Sequence, residues 1–172
     1  MRLPATALLA AASALVLPSC GYRLAGTGTF LGANIKKIAV APFENKSTRP
    51  EIEIRTTEEV ARELASRGGF KVVDKASADA YLEGAVTDFR TTPVQFNDQG
   101  RATRLETTVV LRASLRDLSS GAILWSQANL IFRDQYDVQQ TDVNYFDLET
   151  LALEDLAKGA ADTLVSSITE GF

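Results

Sequence analysis

The sequence predicts an α+β sandwich, with two amphipathic helices packed on one face of a mixed, mostly antiparallel β-sheet of about four strands. Three observations carry this. A β-branched run opens the domain, segments that alternate apolar and polar residues fill its middle, and helical periodicities flank those segments on both sides.

Lys36 to Phe43 is the first strand, stopped by Pro42 and the turn-forming Asn45-Lys46-Ser47-Thr48. Pro50 then opens a helix, with Glu51 and Glu53 near its positive end. Val60, Ala61, Leu64 and Ala65 form its apolar stripe, Glu58/Arg62 and Glu63/Arg67 are i,i+4 pairs, and Gly68-Gly69 ends it. Phe70 to Val73 is a short strand, and Ala80 to Thr87 alternates as a longer one. In the clearest segment Leu105, Thr107, Val109, Leu111, Ala113 and Leu115 alternate with Arg104, Glu106, Thr108, Val110, Arg112 and Ser114, a strand with one buried and one wet face.

Ser119-Ser120-Gly121 turns the chain into a strand over Ala122–Tyr136. There Leu124, Leu130 and Phe132 fall on one face and Ile123, Trp125 and Ile131 on the other, so both faces read as apolar. Either the loop from Asp137 to Asn144 covers the second face or something outside the chain meets it. Phe146 to Ile168 is a long helix with Leu153, Leu156, Ala157, Ala160, Leu164 and Ile168 on one stripe. The stretch from Arg90 to Arg104, holding Pro93, Asn97, Asp98 and Gly100, reads as a connection that projects as a basic hairpin tip.

The N-terminus carries an address. Arg2 supplies positive charge, Ala5 to Leu17 is 13 residues interrupted only by Thr6 and Ser13, and Leu17-Pro18-Ser19-Cys20 has the form of a lipobox. The run is too short to span a bilayer. Residues 1–19 are thus expected to leave as a lipoprotein signal peptide, residues 20–34 to form a lipidated N-terminus and tether, and residues 35–172 to form a single α+β domain. No cofactor is expected beyond a covalent diacylglycerol and N-acyl chain on Cys20, which together hold a protein at a membrane far more firmly than one chain. A core cysteine behind an ordinary signal peptide is the competing reading. Gly21, in place of an aspartate, favours sorting to the outer membrane, lipid-anchored in its inner leaflet.

Composition narrows the chemistry. With no histidine and one cysteine, the Ser-His-Asp triad, the Cys-His dyad and histidine-containing zinc sites are excluded, and no disulfide within the chain is available. There is no Walker loop, GxGxxG or EF-hand spacing. The reading is a non-enzyme with no catalytic residues and no metal. A carboxylate-based glycan hydrolase, the enzymatic rival, needs paired acids that do not stand out. The net charge of −4 is unevenly spread: five arginines lie between Arg90 and Arg116 against Asp98 and Glu106, whereas nine acids follow from Asp134 onward against Lys158. Two faces with different partners are implied, and nucleic acid is not among them.

Cys20-Gly21-Tyr22-Arg23-Leu24, the KKIAVAPFENKS strand and turn, Phe70-Lys71-Val72-Val73 and Ala152-Leu153-Glu154-Asp155-Leu156-Ala157 together resemble the LptE family of lipopolysaccharide-assembly lipoproteins. The resemblance implies two helices on a four-stranded sheet, and an outer-membrane lipoprotein that plugs and helps assemble the LptD β-barrel and binds lipopolysaccharide on its way to the outer leaflet. It also implies that basic residues near mid-chain meet lipid A phosphates. Arg90, Arg101, Arg104 and Arg133 are the candidates here, with Asn97 at a hairpin position where relatives can have arginine. Arginine forks suit phosphate oxygens. The bland alternative is that these arginines pair across the sheet with Glu106 or Asp134. IAVAPFENKS and FKVVDKASADAYLEG also resemble LpoB- and CsgG-type lipoproteins, which regulate cell-wall synthases or form secretion complexes. The two long alternating strands followed by one terminal helix fit that alternative less well.

Overall fold

The computed structural model describes residues 31, 34–67, 69–138 and 145–171. Six strands and two helices follow in the order β1 (Lys37–Val40), β2 (Glu44–Asn45), α1 (Ile52–Ser66), β3 (Lys71–Val72), β4 (Ala80–Phe96), β5 (Ala102–Asp117), β6 (Ile123–Asp137) and α2 (Tyr145–Glu170). A single 3₁₀ turn, Lys75–Ser77, joins β3 to β4.

All six strands share one sheet, ordered β3-β1-β4-β5-β6, with β2 also paired to β4. The expected four strands are therefore six, and the sheet is mixed, not mostly antiparallel: β1–β3, β1–β4 and β2–β4 are parallel, while β4–β5 and β5–β6 are antiparallel. The physical reason is the crossover. Strands β1 and β3 are joined through α1, and a connection that long sets its strands parallel. Strand β2, two residues long, shows no periodicity and sits in what reads as a turn cluster.

Both helices cover the same face, and their shared core holds Ile38, Val60, Leu64, Leu82, Val86, Val109, Leu111, Leu115, Leu156, Leu164 and Ile168. On α1 the buried residues are Ile52, Thr56, Val60 and Leu64, a strict i,i+4 series, so Ala65 of the expected stripe is exposed. Every residue of the expected α2 stripe is buried. Arg67 ties the helices together through Asp162 and also reaches Glu63, whereas Arg62 pairs with Glu59 and not with the expected Glu58. Helix α1 starts after Pro50, at Ile52, because Glu51 takes a left-handed conformation (φ 65°). Asn45 braces this entry, donating to the Arg49 carbonyl and to Glu53 Oε2, both at 2.7 Å.

Strands β4 and β5 run 17 and 16 residues. Most of the expected Arg90–Arg104 connection is therefore paired strand, and the turn is confined to Asn97–Arg101. Pro93 is what misleads. Beyond Val86 the far edge of β4 has no strand beside it among the described residues, so the missing N–H costs nothing there.

Candidate functional site

The sheet face turned away from the helices is built from cross-strand rows, since residues directly opposite in an antiparallel ladder share a face. From the hairpin tip towards the base the rows read Gln95–Arg104–Asp137, Thr92–Glu106–Gln135, Arg90–Thr108–Arg133 and Asp88–Val110–Ile131, then Arg112 beside Ala85, and Glu83–Ser114–Ser126. Four of the five mid-chain arginines (Arg90, Arg104, Arg112 and Arg116) and Arg133 stand on this one face. Residues far apart in sequence meet here because β5 lies between β4 and β6.

Three of those arginines are committed. Arg104 Nε donates to Asp137 Oδ1 at 2.7 Å, which holds the Asp137 carboxyl below the usual carboxylate range and raises the guanidinium further. Arg90 lies 3.5 Å from Asp88, and Arg116 lies 3.9 Å from Glu83. Arg133 has no ion pair among the described residues. Glu106 accepts instead from Gln135 at 2.9 Å, and Asp134 faces the helix side, where it lines a small cavity with Thr107 and Tyr136. Of the candidates, Arg104 and Arg90 thus pair with Asp137 and Asp88, and not with Glu106 or Asp134 as in the alternative reading. Arg90 and Arg133 flank Thr108 in one row, so their Cα atoms are roughly 10 Å apart at the ordinary strand spacing.

Arg101 stands apart at the tip. Asn97 Oδ1 accepts from the Gln99 and Arg101 amides, both at 3.0 Å, and Asn97 N–H donates to the Arg101 carbonyl. Asn97 is therefore a turn cap, turned inward and unable to take an arginine's part. Sequence reasoning missed Arg112, which looks across the small Ala85 towards Glu44; the Lys46 hydrogen bond and charge, then the Arg112 charge, lower the Glu44 carboxyl. The period-2 alternation of β5 was the signal that puts Arg112 on the same face as Arg104.

The expected second apolar face of β6 is largely absent. An extra β6 residue opposite Arg112, between the pairs Ala113–Gln127 and Leu111–Leu130, shifts the parity and turns Trp125 into the core with Leu130 and Phe132. Ile131 and Ile123, 47% and 58% exposed, remain outside. The loop expected to cover this face lies outside the described residues from residue 139 onward. So do the signal peptide, Cys20 and the expected tether, apart from Asn34 and from Leu31, which is buried in the core. Among the described residues no helix is long and apolar enough to cross a membrane, and no group of three acidic or cysteine side chains is placed to hold a metal.

Residues 35–168 match the model of a family described as LptE, lipopolysaccharide-assembly. Among solved structures, the fold is similar to lipoprotein B from Nitrosomonas europaea, with TM-score 0.58 and 16% identity over 88% of this chain and 92% of that one. It is similar to a lipoprotein from Caulobacter crescentus CB15 (0.53, 18%, 76% and 89%) and to rare lipoprotein B from Shewanella oneidensis (0.52, 15%, 75% and 94%). At these identities the likeness concerns the fold. No curated protein matches the chain.

Proposed function

We propose that this chain, which belongs to the LptE lipopolysaccharide-assembly family, is a non-catalytic lipoprotein anchored through Cys20 in the inner leaflet of the outer membrane. In this reading it fits within an LptD-type β-barrel, helps that barrel assemble, and receives lipopolysaccharide on its open sheet face. The observation that carries the proposal is the row Arg90–Thr108–Arg133: two guanidinium groups on a rigid sheet, one of them without an ion pair among the described residues, beside exposed Ile131. Such a row offers charge-assisted donors to phosphate oxygens and an apolar neighbour to an acyl chain.

Among the described residues both helices lie on one face of the sheet and none covers the opposite face, which suits a protein that works by surface contact. The LpoB- or CsgG-like alternative was framed on a sheet covered on both sides, and the single helical layer speaks against it. Affinity purification of the full chain from outer membranes tests the proposal. Recovery with a large β-barrel and lipopolysaccharide is the expected result. Recovery with a cell-wall synthase, or as a ring of its own copies without a barrel, would overturn it.

A further inference from the structure

A groove of about 390 Å³ opens on the same sheet face at the β6 irregularity. That volume falls within the roughly 300–1,000 Å³ of small-ligand sites. Its polar side chains are Arg112, Glu44, Glu83, Ser114 and Ser126, with the small Ala128 beside them, while Gly84, Ala113 and Gln127 border it from a row that faces the helices. The extra β6 residue opposite Arg112 spreads the strands at this level, so the concavity is built into the backbone.

The donor set speaks against an anion. A phosphate approaching Arg112 would also meet the carboxylates of Glu44 and Glu83, which are themselves held by Lys46 at 2.9 Å and by Arg116 and Ser114. A cation alone would meet Arg112. What matches a guanidinium, two fixed carboxylates and two hydroxyls is a neutral group whose hydroxyls both donate and accept: a sugar ring.

The groove also stands in a useful place. Arg112 is four residues from Thr108 along β5, so it lies roughly 13 Å from the Arg90–Thr108–Arg133 row. Val110 and Ile131 lie between the two. We propose that the groove around Arg112 and Ser126 is a saccharide subsite that holds neutral sugar residues of the phosphorylated glycolipid whose phosphates meet Arg90 and Arg133. This rests on the reading that the open face receives such a glycolipid, and it adds a second, chemically distinct point of recognition.

Calorimetric titration of the full chain in detergent separates the two. One probe is core oligosaccharide freed of lipid A; the other is diphosphoryl lipid A without core sugars. Arg112→Gln combined with Ser126→Ala is expected to weaken oligosaccharide binding at least tenfold and leave lipid A binding within twofold, while Arg90→Gln combined with Arg133→Gln does the reverse. Ala128→Phe, an exposed residue at the groove, gives an independent blockade and should act like the first pair. If lipid A binds but oligosaccharide does not, or if oligosaccharide binds the groove variants as well as the parent, the subsite is refuted and the phosphate row stands. If neither probe binds, both readings fall.

Discussion

The ring of Phe132 on β6 lies directly against the backbone of Gly159 on α2: a β-carbon at Gly159 would stand 2.1 Å from Phe132 Cζ and 2.7 Å from Cε2. This is where the terminal helix seats on the outermost strand. The glycine is needed for space, since the aromatic ring occupies the position a side chain would take.

Gly159→Ala is therefore expected to lower stability even though alanine is the better helix former. Overpacking of this kind costs about 1–3 kcal/mol, which exceeds the helix-propensity gain of about 1 kcal/mol. The check is chemical denaturation of Gly159→Ala, Phe132→Leu and the double variant. A smaller side chain at 132 should restore part of the loss, and simple additivity of the two changes would show that the contact is unimportant.

Thr56 is fully buried on α1, and its hydroxyl has no hydrogen-bond partner among the described residues. An unsatisfied buried polar group costs about 1–3 kcal/mol, whereas an apolar group of the same shape does not. Thr56→Val should raise the unfolding midpoint by several degrees. Thermal unfolding of the two proteins decides it, and an unchanged or lower midpoint would mean the hydroxyl is satisfied by water.

How far the sequence foretold this structure depends on which interaction decides each element. The α2 stripe and the β5 alternation were legible because burial alone sets them. The Arg104–Asp137 pair was not, since it depends on the β5–β6 register and not on spacing along the chain. Trp125 was misplaced for a related reason: one extra residue in β6 reverses the faces from Gln127 to Trp125 until a second irregularity restores them at Ile123, and no local signal in Ser126–Asn129 announces it. Pro93 read as a breaker because an unpaired strand edge cannot be recognised before the topology is known. The site was legible as a set of arginines and illegible as a surface, because only the sheet order brings Arg90 and Arg133 into one row.

Several carboxylates are held in the ionised form by local donors. Asp117 accepts from the Ser119 hydroxyl and from the amides of Ser119 and Ser120, which lowers it from 3.8 to about 2. Asp79, accepting from the amides of Lys36 and Lys37, is also lowered. A carboxyl that titrates lower in the folded chain than in the unfolded one adds stability above its unfolded value and loses it as pH falls through the folded value. For Asp117 the loss falls between pH 3.8 and about 2. Asp117→Asn should therefore flatten the pH dependence of the unfolding midpoint in that window and leave its slope above it unchanged, and an unaltered acid slope would contradict the turn's role.

The arginines of the open face should differ in their effect on lipid A binding, in an order set by what each already holds. Arg133 has no ion pair among the described residues, so a phosphate gains its guanidinium without breaking anything. Arg90 must loosen from Asp88, and Arg104 must give up a 2.7 Å bond to Asp137. A hydrogen bond to a charged group contributes about 1.5–3 kcal/mol, and 1.4 kcal/mol is a factor of about ten. Arg133→Gln is thus expected to weaken binding about tenfold or more, Arg90→Gln by less, and Arg104→Gln least. All three should leave the unfolding midpoint nearly unchanged, because exposed pairs add little to stability. Titration of each variant with lipid A at low and high salt reads the order directly, with the Arg133 contribution the larger part of the salt-sensitive affinity. Equal losses at Arg104 and Arg133 would mean that prior pairing does not govern access to the anion, and that the row is recognised by its overall field.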